Sequence, residues 1–234
     1  MEQLKNYFKG KKVTSILDVG TGSGDFIGVL KDVFTEAQIS GIDPDVESLQ
    51  EATKKYPEVT FIEMRAERLE FADNIFDLAS ISMALHHLPD IQTSLKEMQR
   101  VVKCGGWIIV NELFSDNLNP AQEIHKMFHH FRSKIDRLTG INHNETFEKA
   151  QILQMVKVAG IQIQFYFENN QETNLIEKEG ELEIRLEKME QHLEKIKGLT
   201  EYEIFKPQIE VFRERALKYG FQPATRIVVV GRVE

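Results

Sequence analysis

Residues 16–26 read ILDVGTGSGDF, an apolar segment that runs directly into a glycine-rich turn. The glycines at positions 20, 22 and 24 leave a stretch of backbone with almost no side chains. Because another molecule can approach such a backbone closely, the pattern is typical of several unrelated classes of nucleotide-binding protein. The remainder of the sequence has to decide between those classes.

The order of segments around this turn predicts a doubly wound α/β fold. Short apolar runs alternate with helical patterns, as expected for parallel strands that are covered by helices on both sides. The predicted strands are residues 13–19, 38–43, 59–64, 76–82 and 106–113, and the predicted helices are 25–34, 46–56 and 91–102. Two later segments rich in β-branched and aromatic residues, 161–168 and 224–233, are predicted as further strands.

We interpret residues 1–234 as one domain that carries two helical insertions. The first, residues 114–146, contains a helix that follows Asn119-Pro120, and we expect it to cover the active site. The second, residues 170–220, repeats apolar residues every three or four positions and predicts a helical hairpin. A solvated pair of helices is the simplest interpretation of this hairpin, and a substrate lid or a homodimer contact is the alternative.

Three local signals predict where helices begin, end or bend. Gly105-Gly106 is expected to stop the helix before the fifth strand. Thr200 and Glu203 have the spacing of a capping box. Pro207 is expected to kink or restart the second helix of the hairpin, because proline cannot donate the helical hydrogen bond.

Composition limits the classes of partner. The chain is 41% hydrophobic and 28% charged, and no apolar run is long enough for a membrane span. The polar N-terminus does not resemble a signal peptide, and a single cysteine, Cys104, suits the cytoplasm, where we expect the protein to be located. The net charge of −8 argues against nucleic acid as a partner.

Three classes of ligand compete for the glycine turn. The dinucleotide signature G-x-G-x-x-G/A would place Ile27 at its third small position, where a bulky side chain hinders packing of the helix on the strand. The P-loop is excluded because no Gly-Lys-Ser/Thr follows the turn. The third class is S-adenosylmethionine, whose methionine half has to pass close to the backbone. An NAD-linked oxidoreductase is therefore the weaker alternative.

Four motifs in register resemble those of class I S-adenosylmethionine-dependent methyltransferases. LDVGTGSGDF at 17–26 is similar to their motif I, and GIDPD at 41–45 resembles their acidic ribose-binding position. MRAERLEFADNIFDLASISMALHHLPD at 64–90 resembles the central motif of the subfamily that includes the ubiquinone and menaquinone biosynthesis methyltransferases, the type 11 methyltransferase domain. LKEMQRVVKCGGWIIVNE at 95–112 resembles the helix, glycine pair and fifth strand of that subfamily.

The resemblance implies both a fold and an activity. The fold is a mostly parallel, seven-stranded Rossmann-like sheet with an antiparallel last strand. The activity is transfer of the methyl group of S-adenosylmethionine to a small-molecule acceptor, with S-adenosylhomocysteine as the product. A non-catalytic S-adenosylmethionine-binding sensor or partner subunit is the alternative.

Cofactor-binding residues follow from the same motifs. A carboxylate at Asp43, where the second strand ends, can accept hydrogen bonds from both ribose hydroxyls, although a helix N-cap is the competing role for it. The full set implied by the resemblance is Asp18, Gly20, Thr21, Gly22, Gly24, Asp43, Pro44, Arg65, Ala66, Glu67, Ser82, Met83 and Leu85.

Two positions depart from the usual pattern of the family. Arg65 stands where relatives commonly carry the aspartate that accepts the adenine amino group, and an arginine has no acceptor atom. Stacking on adenine or pairing with Glu67 are the roles left for it. Cys104 replaces a common proline, a change that we expect to be structurally neutral.

The candidate catalytic residues are His86, His87 and Glu112, of which one would act as a general base if the acceptor is a hydroxyl or a weak carbon acid. No metal is predicted. His125 and His129 share a helix face and His130 follows, but no recognised ligand motif is completed. These three histidines either line the substrate pocket or are solvated or packed.

Overall fold

The computed structural model describes every residue from Met1 to Glu234. Its strands are β1 (Ser15–Val19), β2 (Gln38–Asp43), β3 (Thr60–Glu63), β4 (Phe76–Ser82), β5 (Val102–Leu113), β6 (Gln162–Asn169) and β7 (Arg226–Arg232). Its α-helices are α1 (Glu2–Phe8), α2 (Asp25–Val33), α3 (Val46–Lys55), α4 (Ile91–Val101), α5 (Pro120–Leu138), α6 (Lys149–Val158), α7 (Glu181–Glu194) and α8 (Glu201–Tyr219). Two single-turn 3₁₀ helices occupy Leu85–His87 and Leu175–Glu177.

The seven strands form one sheet in the order β3-β2-β1-β4-β5-β7-β6. Strands β1 to β5 pair in parallel, whereas the last strand, β7, is antiparallel to β5, as the hydrogen bonds between Val233 and the Gly105-Gly106 pair show. This arrangement confirms the predicted doubly wound, Rossmann-like fold. The strand order reverses between β1 and β4, and ligands of open α/β sheets bind at the carboxyl ends of the strands on either side of that point.

The chain divides into two compact units, which we describe separately. Unit 1 comprises Met1–Glu112, Ala150–Asn169 and Ile227–Glu234, and it contains nearly the whole sheet. Its core is formed by apolar side chains of the strands together with those of α1 and α2, such as Leu4, Ile16 and Leu30, which are fully buried. The strand ends at which the site is predicted are therefore supported by a tightly packed hydrophobic core.

Unit 2 comprises Leu113–Lys149 and Asn170–Arg226 and is built from helices α5, α7 and α8. Helices α7 and α8 confirm that the second insertion is helical, and their apolar stripes meet that of α5 in a second core. The buried members of this core are Ile124, Phe131, Ile135, Leu182, Leu186, Met189, Leu193, Ile196, Phe205, Ile209, Phe212, Ala216 and Phe221. The boundaries and roles given to the two insertions stay predictions.

Two of the local helix signals were interpreted wrongly. Helix α4 ends at Val101, and the Gly105-Gly106 pair lies within β5, where a Cβ on Gly106 would meet Val102 at 2.6 Å and two carbonyl oxygens at 2.8 Å. Thr200 has helical backbone angles and its hydroxyl bonds to Glu201, so no capping box forms. Helix α8 continues through Pro207, so the helix does not restart there, and the kink stays a prediction. No helix of the structure combines the length and apolar character needed to cross a bilayer.

Candidate functional site

The glycine turn between β1 and α2 has the backbone that its sequence predicts. Gly20, Gly22 and Gly24 have φ angles of +65°, +50° and +80°, in the left-handed region that favours glycine. The amide of Thr21 donates to the carbonyl of Ile42 at 2.9 Å, which ties the turn to β2. A Cβ added at Gly22 would meet no atom within 4 Å, so the space beside this glycine is open. The turn can therefore present bare backbone to a ligand.

Gly20 also lets a second loop approach the turn. A Cβ on Gly20 would lie 2.6 Å from the Cβ of Ala84, the residue that precedes the 3₁₀ helix Leu85–His87. The segment after β4 is thus packed directly against the glycine turn. The carboxyl ends of β1 and β4 meet here, at the point where the strand order reverses.

Replacing Gly20 with alanine should lower the free energy of unfolding by about 2–4 kcal/mol, because a positive φ and a steric overlap add up. Gly10 is a matched control, since it has a φ of +79° but no atom within 4 Å of an added Cβ. Gly10→Ala should lose only about 1–2 kcal/mol, from backbone strain alone. Urea unfolding of both variants measures the difference, and equal losses would contradict the close approach of Ala84.

The helix N-cap role that competed for Asp43 belongs to Asp45. Asp43 Oδ2 accepts a hydrogen bond from the amide of Gly22 at 2.9 Å, and Oδ1 accepts one from the amide of Asp45 at 2.9 Å. The N-cap of α3 is Asp45, whose side chain accepts from the amide of Glu47. Asp43 therefore joins the glycine turn to the end of β2, and the exposed Pro44 stands between it and the helix.

Asp18, the penultimate residue of β1, is an almost completely buried carboxylic acid. Oδ1 accepts a hydrogen bond from the Ser80 hydroxyl at 2.7 Å. Oδ2 and the Thr21 hydroxyl make no hydrogen bond of ordinary geometry, although they are close enough for the hydroxyl to favour the ionised acid. Burial raises the pKa of Asp18 to about 6, helped by the charge of Asp43 and opposed by the Ser80 hydroxyl.

The segment after β3 places an ion pair beside an unsatisfied oxygen. Arg65 Nε lies 3.5 Å from Glu67 Oε2, which agrees with one of the two roles considered for this arginine. Arg65 is exposed, whereas Ala66 is buried and Glu67 is largely buried. Glu67 Oε1 is buried without a hydrogen-bond partner. A buried carboxylate oxygen without a hydrogen-bond partner can accept a hydrogen bond from a donor on a bound ligand.

The segment after β4 contains the other cofactor-binding candidates. The Ser82 hydroxyl accepts a hydrogen bond from Asn111 Nδ2 at 2.8 Å, and the amide of Met83 donates to the Asn111 carbonyl at 2.8 Å. Met83 has a φ of +54°, an uncommon value for a residue with a side chain. Leu85 is buried. Strain of this kind is often concentrated at functional sites, and here it turns the chain sharply away from the strand.

His86 and Glu112 form a buried pair. His86 Nδ1 lies 2.9 Å from Glu112 Oε1, and the two side chains are only 5% and 1% exposed. His87 is exposed, with its ring centroid 4.3 Å from that of His86. The structure thus brings together two of the three candidate catalytic residues, one on the 3₁₀ helix after β4 and the other near the end of β5. A carboxylate partner fixes the tautomer of an imidazole and supports its protonated form.

The histidines of α5 lie in unit 2. His125 Nδ1 accepts a hydrogen bond from the amide of Ala224, and burial lowers the pKa of His125 to about 4, aided by the charges of Arg226 and Arg185. His130 bonds to the Thr146 hydroxyl at 2.7 Å. His129 Nε2 lies 3.3 Å from Nε2 of His143. His125 and His130 are therefore packed histidines with local partners.

Comparison with known proteins also indicates a methyltransferase. A family described as a methyltransferase domain matches residues 17–110. The chain is 27% identical over 188 residues to a demethylmenaquinone methyltransferase of Chlorobaculum tepidum, across 75% of this chain and 76% of that protein. It is 34% identical over 133 residues to the enzyme of the same name from Bacillus licheniformis, across 55% of this chain and 56% of its relative. Residues 17–110 thus match a methyltransferase domain, and the chain is similar to class I S-adenosylmethionine-dependent methyltransferases.

The fold of this chain recurs among solved structures. A Bacillus halodurans protein assigned to the methyltransferases matches it with a TM-score of 0.69 at 18% sequence identity, over 99% of this chain and 97% of the other. At that identity the likeness shows the fold alone. The alignment to the Bacillus licheniformis relative spans little more than half of that enzyme's length, so the choice of acceptor has to be argued from this chain's own residues.

S-adenosylmethionine, which the resemblance to methyltransferases implies, fits the polar groups around the glycine turn. The left-handed glycines offer backbone to its methionine half, and the free Oδ2 of Asp18 suits an ammonium group. Asp43 lies between the turn and β2 with acceptor capacity beyond its two hydrogen bonds. The backbone amides of the turn and the carboxylate oxygens of Asp18 and Asp43 are hydrogen-bond donors and acceptors of the kind that S-adenosylmethionine requires.

The raised pKa of Asp18 predicts how stability depends on pH. Between about pH 4 and pH 6 the folded state binds this proton more readily than the unfolded state, so stability falls as pH rises through that range. Asp18→Asn should therefore stabilise the ligand-free protein by about 1–3 kcal/mol near pH 8 and by almost nothing near pH 4. Urea unfolding at both pH values measures this. Glu51→Gln, at an exposed position, is the control, and a pH-independent effect of Asp18→Asn would refute the argument.

Two residues of this region were missed from the sequence. Ser80 pairs with Asp18 across neighbouring strands, and Asn111 holds both Ser82 and Met83. Ser80 and Asn111 are fully buried polar residues in strands that are otherwise apolar. That contrast is the signal that could have identified them, since buried polar side chains need partners.

Proposed function

We propose that this methyltransferase transfers the methyl group of S-adenosylmethionine to a small-molecule acceptor that gives up a proton to His86. The observation that carries the proposal is the buried His86–Glu112 pair, 2.9 Å apart, on the segment that packs against the glycine turn. Transfer to an amine needs no dedicated base, whereas a hydroxyl or a carbon acid does. The acceptor is accordingly an ionisable hydroxyl or an acidic carbon.

When bound, S-adenosylmethionine supplies an electrophilic methyl group on a positively charged sulfur. With Glu112 as its partner, His86 Nδ1 carries the hydrogen and Nε2 carries the lone pair that takes the acceptor's proton. Glu112 then stabilises the imidazolium ion that forms. The strained turn at Met83 and the glycines of the turn after β1 would hold the surrounding backbone in a fixed position. A methyl transfer depends mainly on such alignment of the reacting groups.

The acceptor class is tested with the purified protein, methyl-labelled S-adenosylmethionine and the low-molecular-mass fraction of a cell extract. Label should move into compounds that bear an acidic hydroxyl or carbon, with an equal amount of S-adenosylhomocysteine. Reduced demethylmenaquinone is one defined compound to include, because the relatives carry its name. Label that enters only amines, or that never leaves the donor in any fraction, would contradict the proposal.

We further propose that Glu67 accepts the adenine amino group in place of the aspartate that Arg65 replaces. Glu67 Oε1 is buried and has no partner, and Arg65 contacts the other oxygen of the same carboxylate. The arginine would then orient the acceptor carboxylate rather than contact the base. Glu67 would thus compensate for the departure from the family pattern at Arg65.

This role predicts a reversal of preference between two ligands. The wild type should bind S-adenosylhomocysteine about 10-fold or more tightly than the inosine analogue, because the analogue presents a carbonyl oxygen to Glu67 and loses a charge-assisted hydrogen bond. Glu67→Gln should reduce or reverse that preference, since an amide can donate. Calorimetric titration of both ligands into both proteins measures it, and an unchanged preference in the variant would show that Glu67 does not contact the base.

A further inference from the structure

Three side chains of unit 2 converge beside the second half of α5. His129 and Asp136 are seven residues apart, which places them on one face of the helix two turns from each other. After α5 the chain reverses, with Gly140 at a φ of +82° and the amide of Ile141 bonded to the Asp136 carbonyl at 2.9 Å. Arg137 then holds the carbonyl of His143 at 2.8 Å. The reversal returns His143 to the face that carries His129 and Asp136.

The two imidazoles face each other through the same type of nitrogen. Nε2 of His143 lies 3.3 Å from Nε2 of His129, with the ring planes at 89°. Two imidazoles bound to one tetrahedral zinc ion at ordinary Zn–N lengths have nitrogens about 3.3–3.4 Å apart. The distance also lies at the long end of the range for a direct nitrogen–nitrogen hydrogen bond. It therefore fits a metal ion shared by the two Nε2 atoms as well as it fits a direct bond.

Asp136 supplies the support that metal-bound histidines usually have. Its Oδ2 lies 2.8 Å from Nδ1 of His143, and the two side chains are 8% and 3% exposed. His192 Nε2 and Lys195 Nζ approach the other oxygen at 3.4 Å. The Asp136 carboxylate accepts the hydrogen of His143 Nδ1, which leaves Nε2 as the ligand atom.

We propose that His129 and His143 bind a divalent transition metal ion of the zinc class through their Nε2 atoms, with Asp136 as the positioning residue of His143. Imidazole nitrogen favours zinc, nickel, copper and cobalt over magnesium or calcium. Arg132 lies on the same helix, and its guanidinium stacks 5.7 Å from the ring of Phe128. The sequence pattern showed no ligand motif because His143 reaches the helix only through the reversal of the chain.

The test uses the full chain freed of metal and titrated with zinc chloride against a chromophoric chelator. The wild type should bind one ion per chain. Conversion of either histidine, in His129→Gln or His143→Gln, should weaken binding at least 10-fold, and Asp136→Asn should weaken it about 10–100-fold. The matched control is His125→Gln, one turn before His129, which should bind zinc as the wild type does.

X-ray absorption spectroscopy of the zinc-loaded wild type makes the test independent of variant folding. At least two imidazole nitrogens near 2.0–2.1 Å from zinc are expected. Absence of stoichiometric binding, a zinc ion without imidazole ligands, or a folded His143→Gln protein that binds like the wild type would overturn the proposal. Because no methyl donor is present, the result does not depend on whether the proposed methyl transfer is correct.

Discussion

Replacing Asp43 with alanine should weaken the binding of S-adenosylhomocysteine by at least about 100-fold, since hydrogen bonds to a charged group contribute about 1.5–3 kcal/mol each. The carboxylate holds the amides of Gly22 and Asp45, both at 2.9 Å, so its loss also releases the glycine turn from the end of β2. Removal of Asp43 would thus eliminate the proposed ribose acceptor and loosen the proposed methionine site together. Calorimetric titration gives the change in affinity directly.

Asp45→Ala separates this effect from a general loss of stability. Asp45 is the N-cap of α3 and also accepts from the Ser48 hydroxyl at 2.6 Å, so its removal should destabilise the protein by about 1 kcal/mol. Its affinity for S-adenosylhomocysteine should stay within about 3-fold of the wild type, because this carboxylate caps a helix instead of facing the turn. If Asp43→Ala bound the ligand as tightly as Asp45→Ala, Asp43 would not be part of the cofactor site.

Replacing His86 with asparagine should lower kcat by about 10²–10⁴-fold, the usual contribution of a general base. Affinity for S-adenosylhomocysteine should change little, because the proposed role concerns the proton of the acceptor and not the donor. Glu112→Gln should also lower kcat, although glutamine remains a neutral hydrogen-bond partner for His86. Methyl-transfer rates with the acceptor found in the extract measure both effects.

The pH profile distinguishes a base from a structural residue. The wild type should lose activity on acidification, as a reaction that depends on a general base does, and His86→Asn should lose that dependence as well as the rate. His87→Asn tests the neighbouring ring, which is exposed, and should cause a smaller loss. A His86→Asn enzyme that retains both the wild-type rate and the wild-type pH profile would remove His86 from the reaction.

Much of the fold could be predicted from the sequence because it depends on local patterns. Both β2 and β4 end where their apolar runs end, at Asp43 and Ser82, and the glycine spacing of the turn requires the left-handed backbone that is observed. Gly105-Gly106 shows the limit of that reasoning. Glycines stop helices and also permit close approach between strands, and only the packing of β5 decides between the two.

The site could be predicted only where a residue's role follows from its own motif. The relation of Ser80 to Asp18 depends on the register of β1 against β4, and the pairing of His86 with Glu112 joins residues 26 positions apart. Likewise, His143 meets Asp136 only because the chain reverses after α5. Such contacts are set by tertiary structure, and no spacing in the sequence encodes them.

Equilibrium dialysis of the purified protein against labelled S-adenosylmethionine tests whether the glycine turn, Asp18 and Asp43 form a site for a methyl donor. One molecule should bind per chain, displaced by S-adenosylhomocysteine but not by NAD, and Asp43→Ala should lose this binding. Label that stays evenly distributed at the highest attainable concentration of folded protein, or that is displaced by NAD, would rule out such a site.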